Sequence, residues 1–182
     1  MKYLIASDIH GSLLFCRELL KKFEEENAAK LILLGDLLYH GPRNDLPSEY
    51  SPGKVAAELN RYSDKAVCVR GNCDSEVDQM MLDFPIMADY GLLLLNNKTI
   101  MITHGHIYNS ENKPPIASGD ILLHGHTHIP ANQDYGDFRY LNPGSVSIPK
   151  NGSYRSYMTY EDGVFEWKNL ETGKAYDSFS VK

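Results

Sequence analysis

The feature that most constrains this chain is a short apolar run with a polar motif directly after it, repeated six times. The runs are residues 3–6, 31–34, 66–69, 100–102, 121–123 and 140–141. The motifs that follow them are Asp8-Ile9-His10-Gly11, Gly35-Asp36, Arg70-Gly71-Asn72-Cys73-Asp74, His104-Gly105-His106, His124-Gly125-His126-Thr127-His128 and Asn142-Pro143-Gly144-Ser145. Runs that are apolar throughout indicate strands buried on both faces. Because ligands of open α/β sheets bind beyond the carboxyl ends of strands, we expect these motifs to meet at one site.

Two segments with helical periodicity lie between the first three predicted strands. Apolar residues repeat at helical intervals from Leu13 to Phe23 after Ser12, a suitable N-cap, and again after Pro52. The loop at residues 40–53 is longer than a typical βα connection, so we expect it to border the site.

The pattern changes after Phe84, where strands flank the turn pair Asn96-Asn97. Three further strands are predicted at 157–160, 164–167 and 176–181. The sequence therefore predicts an α/β sandwich, with parallel strands and helices early and an antiparallel meander late.

Length and charge exclude several classes of protein. The chain has 182 residues, which predicts a single domain over 1–182. Its formal charge of −6 gives no electrostatic reason for binding nucleic acid or an anionic membrane.

Asp8 interrupts the first apolar stretch before it reaches signal-peptide length. The three cysteines are scattered and form no CxxC pair, so we expect reduced thiols and a cytoplasmic protein.

The polar motifs supply seven candidate metal ligands. They are Asp8, His10, Asp36, Asn72, His104, His126 and His128. Oxygen and imidazole donors without a cysteine cluster suit Mn, Fe, Zn or Ni. One four-coordinate zinc would use only about half of the set, whereas two cations about 3.5 to 4 Å apart would use all of it. Asp36 is the best candidate for a bridging carboxylate.

Taken together, the motifs resemble the calcineurin-like metallophosphoesterases, and most closely the small bacterial phosphodiesterases of the YfcE type. The resemblance runs through Asn142-Pro143-Gly144-Ser145, about four fifths of the chain. It implies a four-layer αββα fold of the metallophosphoesterase type with mixed sheets, and two divalent cations, with Mn favoured over Zn, Ni, Fe or Co. It also implies one cation on Asp8, His10 and His128, a second on Asn72, His104 and His126, and Asp36 between them.

The same resemblance implies a mechanism. A metal-bound water or hydroxide attacks phosphorus in line, and Asp36, Asn72 and Cys73 are the candidate catalytic residues. Cys73 stands where the wider superfamily has a His that protonates the leaving oxygen. A thiol titrates near 8.5 and is a weak donor, so we expect a phosphodiesterase acting on small or activated esters. Whether Cys73 takes part in the chemistry stays open.

Several neighbouring residues are candidates for supporting roles. Asp74, His106 or His124 would orient the ligands, since ligating imidazoles need a partner for the other nitrogen. His40 and Arg43 in the long loop would contact a substrate phosphate.

Other interpretations stay open at this point. One is a phosphomonoesterase, and another is a metal-binding scaffold of the retromer-subunit type. A nuclease is disfavoured by the negative charge. A small-molecule phosphate ester is the expected partner. Self-association as a homo-oligomer through Tyr154, Tyr157 and Tyr160 is a further hypothesis.

Overall fold

A computed structural model describes residues 1–181 as three helices and eleven strands. The first half contains β1 (Tyr3–Ala6), α1 (Leu13–Glu25), β2 (Lys30–Leu33), α2 (Pro52–Asn60), β3 (Ala66–Cys68) and α3 (Glu76–Met81). The second half contains β4 (Tyr90–Leu95), β5 (Lys98–Thr103), β6 (Asp120–His124), β7 (Ala131–Asp134), β8 (Phe138–Asn142), β9 (Ser156–Glu161), β10 (Val164–Asn169) and β11 (Ala175–Ser180). Among these residues, no helix combines the length and apolarity that crossing a bilayer requires.

The strands form two mixed sheets. The six-stranded sheet has the order β11-β10-β9-β1-β2-β3, in which β1, β2 and β3 are parallel. The five-stranded sheet has the order β4-β5-β6-β8-β7, in which β5, β6 and β8 are parallel. The predicted late meander is therefore wrong for β5, β6 and β8. Their parallel arrangement brings three more polar motifs to one sheet edge.

Alternating side chains of β1 explain how the layers pack. Leu4 and Ala6 pack toward α1 and α2, in a cluster that also holds Leu19 and Val55. Ile5, which points to the opposite face, packs in the apolar layer between the two sheets. β1 and β2 are thus buried on both faces, as the apolar runs predicted.

The outer face of the five-stranded sheet is covered differently. Leu122, Phe138 and Tyr140 form a small cluster there, and Ile116 from the connection between β5 and β6 packs on it. Within residues 1–181 this cluster contains no helical residue. The α/β class and the two mixed sheets are confirmed, while a loop rather than a helix packs on this outer cluster.

Three elements and one surface differ from the sequence expectation. The polar strand β7 and the short helix α3, which buries no residue, were not predicted. β3 is an edge strand whose Val67 is exposed, so it is not buried on both faces. Tyr157 and Tyr160 are buried and only Tyr154 is exposed, so these three tyrosines do not form a surface for self-association.

Candidate metal centre and active site

The carboxyl ends of β1, β2, β3, β5 and β6 bring the seven predicted ligands into one cluster. We call Asp8, His10 and His128 the first donor group, and Asn72, His104 and His126 the second donor group. Asp36 lies between the two groups. The main chain joins them as well, because the His126 amide donates to Asp8 Oδ2 over 3.0 Å.

The first donor group is almost fully enclosed. His10 Nε2 and His128 Nε2 lie 3.2 Å apart, and they lie 3.5 and 3.3 Å from Asp8 Oδ1. His10 Nδ1 donates to the Tyr39 carbonyl over 2.8 Å, and His128 Nδ1 donates to the Ile148 carbonyl over 2.6 Å. These two hydrogen bonds fix both rings with Nε2 directed into the cluster.

The second donor group is more open. His104 is buried and its Nδ1 donates to the Leu34 carbonyl over 2.7 Å. Its Nε2 lies 3.1 Å from both Asn72 Oδ1 and His126 Nδ1. Asn72 is exposed and His126 is half-buried, so this side of the cluster faces the solvent.

Asp36 connects the two groups. Its Oδ2 lies 3.6 Å from His10 Nε2 and 3.4 Å from His104 Nε2, one imidazole from each group. Its Oδ1 accepts the Cys73 amide proton over 2.8 Å. One carboxylate oxygen is therefore held by the backbone while the other is placed between the two donor groups.

The hydrogen bonds in the cluster show that a cation fits it. Because Nδ1 of His10 and of His128 donates to a carbonyl, each neutral ring has a lone pair on Nε2, and these lone pairs face each other at 3.2 Å. Asp8 Oδ1 is buried and accepts no hydrogen bond from any residue in the range 1–181. Buried acceptors that face one another are costly unless a proton or a metal ion lies between them.

The pKa values follow the same electrostatics. Burial opposes the charged form of His104, but its hydrogen bond to Asp36 and the charges of Asp8 and Asp36 outweigh burial and raise its pKa to about 9. Burial likewise opposes ionisation of Asp8, yet the imidazoles of His10 and His128 beside it and the charge on His104 hold its pKa well below the usual range. Burial and the charge on His104 lower the pKa of His126 to about 4. The raised pKa of His104 and the lowered pKa of His126 thus distinguish the two imidazoles of the second donor group.

Five of the seven predicted ligands have left-handed backbone, which is uncommon for residues other than glycine. Their φ angles are 60° for Asp8, 50° for His10, 56° for Asp36, 66° for His126 and 62° for His128. Such a conformation costs on the order of 1 to 3 kcal/mol per residue and is concentrated at functional sites. The chain turns sharply after each strand, and this turn directs the side chain into the cluster.

Asp74 holds the loops that carry Asp36 and Asn72. Its Oδ2 accepts the amides of Asp36 and Gly71 over 2.8 and 2.7 Å, and its Oδ1 accepts the Leu37 amide over 2.9 Å. Gly71 allows this close approach, since a Cβ there would lie 2.1 Å from Asp36 Oδ1. The geometry places Asp74 in the orienting position that the sequence analysis suggested for it.

The two other orienting candidates are placed differently. His124 stacks on Tyr140 with ring centroids 4.4 Å apart, and its contact is to the Gly125 carbonyl. His106 Nδ1 is buried without a partner in the described chain. Neither hydrogen-bonds a ligand imidazole. Backbone carbonyls occupy the Nδ1 positions of His10, His104 and His128 instead.

Residues after β8 hydrogen-bond the backbone of the segments that carry the predicted ligands. Asn142 Nδ2 donates to the Gly125 carbonyl over 2.8 Å and to Thr127 Oγ1 over 3.0 Å. Ser145 Oγ and Ser147 Oγ both donate to the Asp8 carbonyl, over 2.8 and 3.1 Å. The sequence pattern predicted that this motif, which includes Ser145, lies at the site, but it did not predict the donation by Ser145 and Ser147 to the Asp8 carbonyl. The signal available was a run of small polar residues directly after a buried strand.

A cavity of about 400 Å³ opens over the cluster. Asp36, Asn72 and His126 line its floor, and Gly41 to Asn44 of the long loop form one wall, as predicted for that loop. Cys73 also lines it and is half-buried. Burial and the nearby charge of Asp36 raise the pKa of the Cys73 thiol, so the thiol stays protonated at neutral pH.

Comparison with known proteins places this site in a family. The family model of the calcineurin-like phosphoesterase superfamily domain matches residues 1–162. Phosphodiesterase YfcE of Escherichia coli is 49% identical over 164 residues, which cover 90% of this chain and 89% of that protein. The probable metallophosphoesterase YsnB of Bacillus subtilis is 26% identical over 164 residues, which cover 86% of this chain and 82% of that protein.

Solved structures show the same fold. The structure of YfcE, a phosphoesterase from E. coli, matches with a TM-score of 0.97 and 44% identity, covering all of both chains. Vps29 from Entamoeba histolytica, solved in complex with zinc, matches with a TM-score of 0.61 and 18% identity over all of both chains, which shows the fold alone. The chain belongs to the calcineurin-like phosphoesterase superfamily, and the prediction of a phosphate-ester hydrolase is confirmed at that level.

Proposed function

We propose that this protein is a metal-dependent phosphodiesterase with a dinuclear site, acting on small or activated phosphodiesters. The observation that carries the proposal is the position of Asp36 Oδ2, between His10 Nε2 at 3.6 Å and His104 Nε2 at 3.4 Å. A carboxylate oxygen between two sets of imidazole donors is the arrangement that a bridging ligand requires. The 49% identity to a phosphodiesterase over most of both chains supports the same reaction class.

The proposed ligands divide as the donor groups do. Asp8, His10 and His128 would hold one divalent cation, Asn72, His104 and His126 would hold the other, and Asp36 would hold both. Oxygen and imidazole donors suit several divalent ions. We propose Mn, with Zn, Ni, Fe or Co as alternatives. When bound, two such ions supply an activated water nucleophile and neutralise charge on the phosphoryl oxygens.

Hydrogen bonds within the protein position the proposed ligands. The Tyr39, Leu34 and Ile148 carbonyls keep the three imidazole Nε2 atoms directed into the cluster. Asp74 and the Cys73 amide hold Asp36 in place. Because this orientation exists before any substrate binds, little reorganisation is needed during the reaction.

Cys73 bears on which ester is cleaved. Its thiol lies 3.3 Å from Asn72 Nδ2 at the cavity surface, and its raised pKa makes it a poor proton donor. The leaving oxygen therefore receives little help from a side-chain acid at this position. Esters with a stable leaving group need little such help, which favours small or activated diesters.

The test is hydrolysis of bis(p-nitrophenyl) phosphate and p-nitrophenyl phosphate by metal-stripped protein, with Mn, Ni, Zn, Co, Mg or nothing added back. We expect metal-restored cleavage that favours the diester. Asp64→Asn, which removes an exposed carboxylate far from the cavity, is the matched control for substitutions in the cluster. Preference for the monoester would make the protein a phosphatase, and absence of turnover with every metal would indicate a binding role.

A further inference from the structure

Two cationic side chains stand at the rim of the cavity above the donor groups. Arg43 comes from the long loop after β2, and Lys150 comes from the turn before β9. Both line the cavity of about 400 Å³, in which Asp36 is the one carboxylate among the described lining residues. The rim is therefore cationic, in a chain whose formal charge is −6.

Hydrogen bonds hold the Arg43 segment against the site. The Asn44 amide donates to the Gly41 carbonyl over 3.3 Å, and Asn44 Nδ2 donates to the His40 carbonyl over 2.8 Å, which closes a turn around Arg43. Ser12 Oγ donates to the Ser48 carbonyl over 2.6 Å further along the loop. These bonds fix the backbone position from which the Arg43 side chain reaches the cavity.

The Lys150 segment is joined to a proposed metal ligand. The Lys150 amide donates to the His128 carbonyl over 3.2 Å, and the Ile148 carbonyl accepts the proton of His128 Nδ1. The Ser153 amide and hydroxyl donate to the Lys150 carbonyl over 3.0 and 2.7 Å. The backbone of Lys150 is thus positioned by the same contacts that position His128.

Neither cation is neutralised by a carboxylate. Arg17 pairs with Glu58 over 2.8 Å and Lys168 pairs with Glu26 over 2.7 Å, whereas Arg43 and Lys150 form no ion pair with residues 1–181. Both side chains are exposed, so each can be contacted by a ligand without leaving a partner unpaired.

Resting on the proposed function, we propose that Arg43 and Lys150 form a subsite for a second phosphoryl group of the substrate. A simple phosphodiester carries one negative charge, which the cations on the donor groups would neutralise. A terminal phosphate carries about −1.5 to −2 at pH 7 and matches two further positive charges. The Arg43 guanidinium suits paired phosphate oxygens and the Lys150 ammonium contributes a point charge. The substrate class is a phosphodiester that carries an additional phosphate monoester.

The test uses two chromogenic diesters that differ by one phosphate, thymidine 5′-(p-nitrophenyl phosphate) and its 3′-phosphorylated derivative. We expect the metal-loaded protein to prefer the 3′-phosphorylated diester in kcat/KM. Arg43→Ala and Lys150→Ala should each lower kcat/KM for that substrate by roughly fivefold, mainly through KM, as for a solvent-exposed charged contact. The same substitutions should lower kcat/KM for the unphosphorylated diester by a clearly smaller factor, so that the ratio of the two kcat/KM values falls.

Control variants separate the subsite from a general effect of charge. Lys54→Ala removes an exposed positive charge from α2, away from the cavity, and should alter neither substrate. Arg43→Lys keeps the charge but loses the paired donors, and should retain part of the preference. Equal losses on both diesters in Arg43→Ala and Lys150→Ala would overturn the subsite, because the residues would then serve the scissile phosphate or the fold.

A binding measurement distinguishes failure of the subsite from failure of the phosphodiesterase proposal. Thymidine 3′,5′-bisphosphate and thymidine 5′-monophosphate are titrated into the metal-loaded protein by calorimetry. Tighter binding of the bisphosphate, lost in Arg43→Ala and Lys150→Ala, would support the subsite even if neither diester were hydrolysed. Equal affinity for the two nucleotides would overturn it, whatever the turnover.

Discussion

The two donor groups differ in how much of the protein surrounds them. In the first group Asp8, His10 and His128 are all buried, and both imidazoles are held by backbone carbonyls. In the second group only His104 is buried and held in this way, while Asn72 is exposed and His126 is half-buried. The first donor group is therefore enclosed and held by the fold, and the second donor group is more exposed to solvent.

This difference indicates that the two donor groups have different roles in cation binding. Fixed donors lose little conformational entropy on binding, so the first donor group should hold its cation more tightly. Both groups contribute residues to the cavity lining, but Asn72 and His126 of the open group are the more exposed, so a phosphate can reach them more readily. We infer that the first site retains its cation and that the second site exchanges its cation and meets the substrate.

The largest expected effect comes from removing the residue that joins the two groups. Asp36→Asn should lower metal-restored turnover by at least roughly a hundredfold, because an amide bridges two cations far less well than a carboxylate. Turnover assays and metal analysis of dialysed protein would measure both consequences. Full turnover in Asp36→Asn, with unchanged turnover in the Asp64→Asn control, would contradict the two-metal proposal.

A matched pair of variants tests the division between the groups. His128→Asn removes a held imidazole from the first group, and His126→Asn removes an unheld one from the second. We expect the affinity for the tighter cation to fall by about tenfold or more in His128→Asn and to change little in His126→Asn. Equilibrium dialysis with Mn measures both. Equal losses in the two variants would show that anchoring does not set the affinity.

The pH dependence of metal binding sharpens the comparison. The pKa of His104 is raised to about 9 in the metal-free protein, so at pH 7 a cation must displace its proton. The pKa of His126 is lowered to about 4, and no proton has to leave it above about pH 6. Affinity should therefore rise with pH up to about 9, by about tenfold per unit for each proton released. Calorimetry in buffers of different ionisation enthalpy counts these protons, and a flat profile would contradict the assignment.

The smallest effect on the site is expected from an ionic network outside it. Glu26 accepts hydrogen bonds from Lys168 over 2.7 Å, Lys2 over 3.1 Å and Tyr157 over 3.0 Å. Burial opposes its charge, but the bonds from Lys168 and Lys2 outweigh burial and lower its pKa. Its contribution to stability is thus present above the unfolded pKa near 4.5 and is lost as pH falls through the lower folded value.

Glu26→Gln should therefore lower the free energy of unfolding at pH 7 by about 1 to 2 kcal/mol and flatten its decline below about pH 4.5. Urea unfolding between pH 3 and 7 measures this dependence. Metal affinity should stay unchanged, since the network does not contact the donor groups. A loss of metal affinity in this variant would mean that the site depends on global stability.

The site residues could be predicted from the sequence because each motif is a short run of consecutive residues directly after a buried strand. A buried strand followed by Asp8-Ile9-His10 or Gly125-His126-Thr127-His128 can be read without knowing the fold. The structure brings these motifs together at the carboxyl ends of parallel strands, as expected. The antiparallel pairing of β9, β10 and β11 is confirmed. The mutual direction of β5, β6 and β8 was predicted wrongly, because apolar runs do not reveal whether neighbouring strands are parallel.

The parts that escaped prediction depend on distant contacts. β7 is a polar edge strand and α3 buries no residue, so neither has an apolar pattern. The donation by Ser145 and Ser147 to the Asp8 carbonyl joins residues more than 130 positions apart. The left-handed backbone of His126 and His128 likewise follows from the surrounding structure rather than from the preferences of those residues.

The central claim is that two cations, joined by Asp36, are both required for turnover. The most direct measurement is a titration of metal-stripped protein with Mn, following bound metal by equilibrium dialysis and bis(p-nitrophenyl) phosphate cleavage in the same samples. The account predicts two Mn ions per chain at saturation, with turnover rising as the second, weaker ion binds. Saturation at one ion per chain, or full turnover with one ion bound, would contradict it.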